Sequence, residues 1–322
     1  MDRSIETKSN RLPGLTPRVV FITLLIAPVN CYLLVQMELV RYTFPTWTVP
    51  LSNVIFILTV VTVINYAIRW IAPRAALRQD ELLVLYVMLS FITTLSACDT
   101  TQAVLSVLGH GFWFATLENE FKELFWEHLP RWLTVSDTRA LRGYYTGGSS
   151  LYLAENLRVW VPVVLAWLLL FLVLAFILLC LSVILRRQWT ERERLTYPII
   201  QLPLEMTSPV SGFFRNKRMW MGFAIAAGIG LLNGFNALYP AIPRIPVTRR
   251  FFEFSERPLS FYGQIIIAFY PFAIGIMFLM PLDVLFSTAF FYGLYRNQLA
   301  LTEAMGWSSL PDIQMSRPSV PL

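Results

Sequence analysis

The sequence predicts an all-α protein: a polytopic transmembrane helical bundle of about six or seven spans, with one extracytoplasmic segment of interfacial helix and loop. Three observations carry this. Apolar residues make up 56% of the chain and charged residues only 14%, well below the roughly 25% of soluble domains, so polar side chains are too few to cover a water-facing surface. The charges that do occur are bunched between apolar runs. Several of those runs reach the roughly 20 residues a helix needs to cross about 30 Å of hydrocarbon.

The first span is expected near 17–40. Thr16 suits the N-cap and Pro17 the first helical position, while Pro28 inside the run is a kink site. The second, near 50–71, carries Asn65 close to its end. The third, near 80–97, opens on Gln79-Asp80-Glu81, acids placed where the helix dipole favours them. The apolar stretch from Asp99 to Leu117 follows without turn residues, so it either extends that helix or re-enters the membrane, and Gly109 and Gly111 allow a break. From Glu118 to Glu155 the chain is polar and aromatic. Its ENEFKELFWEHLPRWL reads as an amphipathic helix at the interface, followed by a loop with Gly147-Gly148; Trp126, Trp132 and Tyr144 suit headgroup depth.

The fourth span, near 159–185, has no charge at all and ends sharply at Arg186-Arg187. It is longer than the hydrocarbon is thick, so it is expected to tilt or protrude. The fifth lies near 219–239. Two more are expected near 262–280 and 283–301, the last interrupted by Arg296. This pair either crosses fully or forms a broken-helix hairpin around Pro281-Leu282-Asp283. Residues 1–305 then form a single transmembrane helical domain and 306–322 a polar tail, with no internal repeat.

The net charge is +6. Arginines such as Arg69, Arg158, Arg186 and Arg187 stand at the ends of apolar runs, which fits lipid headgroups and topology signals better than a nucleic-acid groove. The expected partner is therefore the lipid bilayer, with other membrane subunits or a C-terminal half beside it, and no nucleic acid. Basic residues favour a cytoplasmic N-terminus: the N-tail (Arg3, Lys8, Arg11, Arg18), the loop with Arg69, Arg74 and Arg78, and the connection with Arg186, Arg187, Arg192, Arg194, Arg215, Lys217 and Arg218 then share one side. The location expected is a bacterial cytoplasmic (inner) membrane. Met1–Pro13 is polar and no small-residue cleavage site follows the first run, so that run is read as a retained anchor.

Cys31, Cys98 and Cys180 each lie in an apolar run without motif spacing, which argues against disulfides or zinc. His110 and His128 lie outside the long spans, so a bis-histidine haem is not expected. No Walker loop, nucleophile elbow, HExxH or CxxC occurs. No enzyme activity, cofactor or metal is expected.

Three stretches hold candidate functional residues. Arg186–Met206 has alternating charges, then Pro198, Pro203 and Glu205; it suits a gate beside a span, though a membrane-surface connector with mutually satisfied Arg/Glu pairs is the simpler reading. In Met219–Tyr239, Gly222, Gly228, Gly230 and Gly234 with neighbouring alanines make a face on which another helix packs closely, and Asn233 and Asn236 add amides for a neighbour or a ligand. In Phe269–Tyr295, Pro271 and Pro281 flank a short apolar piece, with Asp283 and Ser287 beyond. Broken helices at membrane depth build solute and ion sites, and an acid there is functional by default; at the surface Asp283 is instead an ordinary N-cap.

The segments GLTPRVV, LRQDELLVLYVMLS, GHGFWFATLENEFKELFWEHLPRWL, RRQWTERERLTYPIIQLPLEM and MPLDVLFSTAFFYGLY together resemble a family of large bacterial polytopic membrane proteins known only under domain-of-unknown-function labels. The resemblance covers nearly the whole chain and is most specific in the arginine-tryptophan-glutamate segment. It implies no activity and no residue roles. Members of that family continue with further spans, so the resemblance implies that this chain is the first half of a longer or split protein. The broken-helix region alone is similar to oligopeptide-transporter-like proteins.

Two functions are expected from these features. The first is a secondary-transporter-like protein, or half of one, moving a small solute, with Asp283, Asn233, Asn236 and Ser287 as substrate-binding candidates in one polar cavity. The second is a non-catalytic structural subunit that packs against other membrane proteins.

Overall fold

The structure is a computed structural model, and it describes residues 14–193, 197–255 and 259–306. The chain divides into two compact units, Met1–Leu195 with Pro203–Ser211, and Thr196–Leu202 with Gly212–Leu322. The expected polar tail lies, apart from Gly306, outside the described residues, as do Arg3, Lys8, Arg11 and Arg194.

The first unit opens with three long helices. Helix α1 (Pro17–Val35) begins as expected, with Thr16 as N-cap and Pro17 at the first turn, and runs past Pro28 into a π-helical turn, Gln36–Val40. Helix α2 is Ser52–Ile71 and α3 is Gln79–Ser96. Helix α3 packs against both others. Their shared apolar core is Val19, Val54, Leu58, Leu77, Leu82, Leu85 and Leu89. On α3 the buried positions recur at helical spacing through Leu82, Leu85, Leu89 and Thr93, which fixes the face that the neighbours cover.

After α3 the chain breaks. Ala97 is extended (φ −65°, ψ 161°), and a π-helical turn, Cys98–Gln102, leads into α4 (Ala103–Val107). Next come α5 (His110–Trp113) and α6 (Phe121–Leu124), each a single turn. The amphipathic helix expected in ENEFKELFWEHLPRWL is thus reduced to that one turn. Asn119 explains part of this: its Oδ1 accepts the N–H groups of Thr116 and Phe121, and its Nδ2 donates to Phe114 O, local bonds that compete with helix. The amphipathic element is instead α7 (Thr138–Thr146), capped by Asp137 and burying Ala140 and Leu141.

Helix α8 (Ala154–Arg187) is longer than the expected span, and only Trp160 and Val163 of it are buried. They join Leu108, Val135, Ala140 and Leu141 in a second core, bordered by Trp113, Tyr145 and Trp167. The glycines expected to permit a break serve close packing here: a Cβ on Gly109 would stand 2.2 Å from Leu141 Cδ2, and one on Gly111 would stand 2.8 Å from Phe125 Cε2. Beyond α8, Arg187 Nε donates to Glu191 at 3.0 Å and Gln188 Nε2 to Glu193 at 3.0 Å, consistent with the connector reading of this segment. Helix α9 (Pro198–Thr207) ends with Met206 and Thr207 buried, and Gln79 Nε2 donates to Leu204 O at 3.3 Å.

The second unit contains α10 (Lys217–Leu238), a short antiparallel ribbon of β1 (Arg250–Phe252) and β2 (Ile265–Ile267), then α11 (Pro271–Leu279) and α12 (Leu282–Ala304). Arg250 pairs with Ile267 and Phe252 with Ile265. The stretch expected as a span near 262–280 is α-helical only in the nine residues of α11, about 14 Å of rise, too short for the hydrocarbon. Prolines set both limits. Tyr270 (ψ 125°) and Met280 (ψ 148°) are extended, as a residue before proline prefers. Helix α12 runs straight through Arg296, whose guanidinium donates to Tyr262 O at 3.1 Å and Gln264 O at 2.5 Å, so the charge that interrupts the run in sequence anchors a loop in space.

Among the described residues, five helical stretches are long and apolar enough to cross a membrane: Pro17–Val40, Ser52–Ile71, Gln79–Trp113, Ala154–Arg192 and Lys217–Leu238. With this mainly helical architecture the chain is an integral membrane protein of the helical-bundle class.

Candidate functional site

Polar side chains gather in a seam inside the α1–α2–α3 bundle, at three levels. At the first, Glu81 is 2% exposed. It accepts from Thr16 Oγ1 at 2.8 Å, from Arg18 Nη2 at 2.5 Å and from the backbone N–H of Arg78 at 2.9 Å. Arg18 reaches on to the carbonyls of Ala75 and Ala76. Asn65 of α2 pairs at both ends of its amide with the Leu77 backbone, at 3.0 Å and 2.7 Å. This level ties both inter-helix ends and the α2–α3 loop together, and each charge has its partner.

The second level is a node of three helices. Asn30 of α1 donates to Thr93 Oγ1 of α3 at 2.8 Å, and Asn53 of α2 donates to Asn30 Oδ1 at 2.9 Å and to Thr93 Oγ1 at 3.2 Å. Cys31 Sγ lies 3.2 Å from Ser96 Oγ beside it. Asn30 is 1% exposed. Buried polar atoms are also left over: Asn53 Oδ1 and Thr62 Oγ1 on α2, Ser90 Oγ on α3 and Gln102 Oε1 beyond it have no hydrogen-bond partner among the described residues.

The third level surrounds Glu38, 1% exposed. It accepts from Thr46 Oγ1, from Cys98 N at 2.9 Å and from Gln102 Nε2 at 3.3 Å. Asp99 beside it accepts from Trp47 Nε1 at 3.1 Å. Glu38 therefore caps the helix that restarts after Ala97, where free backbone N–H groups favour an anion. No ion pair reaches Glu38 among the described residues. Glu38 follows Arg18 by about 30 Å of rise along α1, close to the hydrocarbon thickness. The two buried carboxylates thus stand at opposite ends of the bundle, with the Asn30 node between them.

The four residues expected to bind solute lie in the second unit. Asn233 pairs with the Ile245 backbone at 2.9 Å and 2.8 Å, and Asn236 Nδ2 donates to Ile242 O at 2.6 Å. Both amides hold the proline-containing loop after α10. Asp283 is exposed in the first turn of α12, and Ser287 is exposed one turn on. The glycine face of α10 is open: a Cβ on Gly222, Gly228, Gly230 or Gly234 would meet nothing within 4 Å.

The seam residues carried a readable signal. Glu38 is an acid inside the first expected span, and such a residue counts as functional by default. Asn30, Thr23 and Glu38 share a helical face with buried Val19 and Leu34, a polar stripe within an apolar run. Asn53 and Thr93 offer no comparable pattern, since only packing shows that they meet Asn30. No group of three or more His, Cys, Asp or Glu side chains suited to a metal occurs among the described residues.

No curated protein and no solved structure matches the chain. A family model does, over residues 9–320. With nearly its whole length covered by that match, and with its membrane-spanning helices in place, the chain belongs to the DUF6785 family, a family of unknown function.

Proposed function

We propose that this protein is a secondary-transporter-like membrane protein, or part of one, and that the seam through α1–α3 is the polar element it uses to handle a small solute. The observation that carries this reading is the surplus of buried hydrogen-bonding capacity at Asn53 Oδ1 and Thr62 Oγ1. Polar groups inside a membrane are costly, and those serving only as glue between helices find partners. Acceptors left open among the described residues, one at the Asn53 node and one about 13 Å of helical rise further along α2 at Thr62, suit a solute that brings N–H or O–H donors. Glu38, with no ion pair among the described residues, adds a buried carboxylate at one end of the seam. The reading keeps the bacterial cytoplasmic membrane and a cytoplasmic N-terminus, the latter supported by Arg69 in the last turn of α2 and by Arg74 and Arg78 in the loop after it.

The test is Thr62→Val in protein reconstituted into liposomes, with uptake measured across a panel of small polar solutes. Replacing an unpartnered buried hydroxyl by a methyl of the same shape is neutral or stabilising to the fold. Under the transport reading uptake falls while thermal stability holds or rises. Uptake equal to wild type for every transported solute removes the role of the seam.

A second reading has its own observation. The open glycine face of α10 has the small-residue surface on which membrane helices pack closely, so a subunit role beside another membrane chain or a C-terminal half is supported there. The mass of the intact solubilised species separates the two: a lone monomer counts against the subunit reading.

A further inference from the structure

The first unit also carries a cleft at its aromatic layer, away from the seam, with a volume of about 540 Å³. Ala140, Gly143 and Tyr144 of α7 form one wall, Trp160, Val161 and Val164 of α8 another, and the loop at Ser149–Leu151 lies between them. Gly143 is what lets that loop approach, because a Cβ there would stand 2.8 Å from Ser149 Cβ. The rings of Tyr144 and Trp160 lie 5.0 Å apart, centre to centre. A cleft of this size is in the range of small-ligand sites.

Its polarity is graded along α8. At the start of the helix Asn156 Nδ2 donates to Ser149 Oγ at 2.9 Å and to Ser150 O at 2.7 Å, so this end is polar but uncharged. One to two turns on, Val161, Val164 and Leu165 continue the lining. They lead directly into the exposed, charge-free surface of α8 through Leu168, Leu169, Leu172 and Val173. That surface belongs to a helix long and apolar enough to cross the membrane, so the cleft is continuous with the face that meets hydrocarbon. A peptide backbone in it would leave its polar groups unsatisfied. A chain of methylenes would not, and its polar attachment would meet the Ser149, Ser150 and Tyr144 hydroxyls at interface depth, where aromatic rings of this kind sit.

From this grading we infer that the cleft between α7 and α8 holds one acyl chain of a membrane phospholipid, with the glycerol-ester region at the Ser149–Asn156 end. The test uses the full chain purified in mild detergent, with retained phospholipid counted by mass spectrometry after extensive washing. Val161→Trp fills the cleft from an exposed position, and Val173→Trp places the same ring on α8 outside it. Wild type and Val173→Trp should retain phospholipid alike, and Val161→Trp should retain at least ~tenfold less. Equal retention by all three, or none by wild type, overturns the site. A second measurement does not depend on that variant folding. In vesicles of phosphatidylethanolamine and phosphatidylglycerol with brominated acyl chains, the fluorescence difference between wild type and Trp160→Phe reports Trp160. Strong quenching of that component is expected; an unquenched Trp160 among quenched tryptophans overturns the proposal.

Discussion

Glu38 Oε2 accepts the backbone N–H of Cys98 at 2.9 Å, so a carboxylate from the first helix caps the point where the third helix restarts. The contact joins residues far apart in the chain and places an anion where an extended Ala97 has left helical amides without partners. It predicts an asymmetric mutational response. Glu38→Leu orphans the Cys98 amide and the Thr46 hydroxyl and should cost about 1–3 kcal/mol for each group left unsatisfied. Glu38→Gln keeps an acceptor oxygen and should cost distinctly less. Thermal unfolding in detergent, followed by tryptophan fluorescence, ranks the three proteins; equal losses for both variants would contradict the capping role.

The opposite end of the bundle makes a different prediction. Removing Arg18 strands Glu81, which is 2% exposed while the Arg18 side chain is 40% exposed. Breaking a fully buried pair costs about 3–5 kcal/mol, and the partial exposure of Arg18 puts Arg18→Met below that range. Glu81→Gln in the same chain removes the stranded charge, so the double variant should be more stable than Arg18→Met alone. A double-mutant cycle measured by denaturation checks the sign.

Gly109 is defined by space rather than by backbone conformation. Its Cβ position lies 2.2 Å from Leu141 Cδ2, and Leu141 is fully buried. Gly109→Ala should destabilise by about 1–3 kcal/mol, the usual range for overpacking. Leu141→Val opens space at the same point, so the two changes together should cost less than their sum. Additive losses would show that the neighbours yield by some other route.

The second core gives a pH dependence. Burial, with the Tyr144 phenol beside it, pushes the Tyr145 phenol above its ordinary range, and its hydroxyl donates to Ser106 O at 3.3 Å. The folded state therefore holds the proton more tightly than the unfolded state does. The stabilisation is fully present below the unfolded pKa of about 10 and is lost as pH rises through the folded value. Wild type should lose stability more steeply than Tyr145→Phe above about pH 10. Parallel melting curves for the two across that window would rule the effect out.

Helix by helix, the contrast between legible and hidden structure follows one physical line. The spans of α1, α2, α3, α8 and α10 could be read because a lipid-crossing helix satisfies its backbone internally and needs only a long apolar run. Thr16 and Pro17 could be placed because capping is local. Glu38 and Asn30 were within reach, as polar residues inside an apolar run. Helix α11 is shorter than its apolar stretch suggested because Pro271 and Pro281 outrank hydropathy. The amphipathic helix expected at ENEFKELFWEHLPRWL gave way to side-chain bonds from Asn119 that composition does not reveal.

By itself, then, the sequence determined the solvent of this protein: the apolar fraction and the length of the uncharged runs require lipid around helices. Tertiary structure alone decided which polar groups meet. Asn30, Asn53 and Thr93 converge, whereas Asn233 and Asn236 turn away to hold a loop backbone. The reason is that hydropathy and capping act over one or two helical turns, while a hydrogen bond between helices depends on the rotation of each helix about its axis. That rotation is set by the packing of Leu58, Leu85 and Leu89 in the shared core.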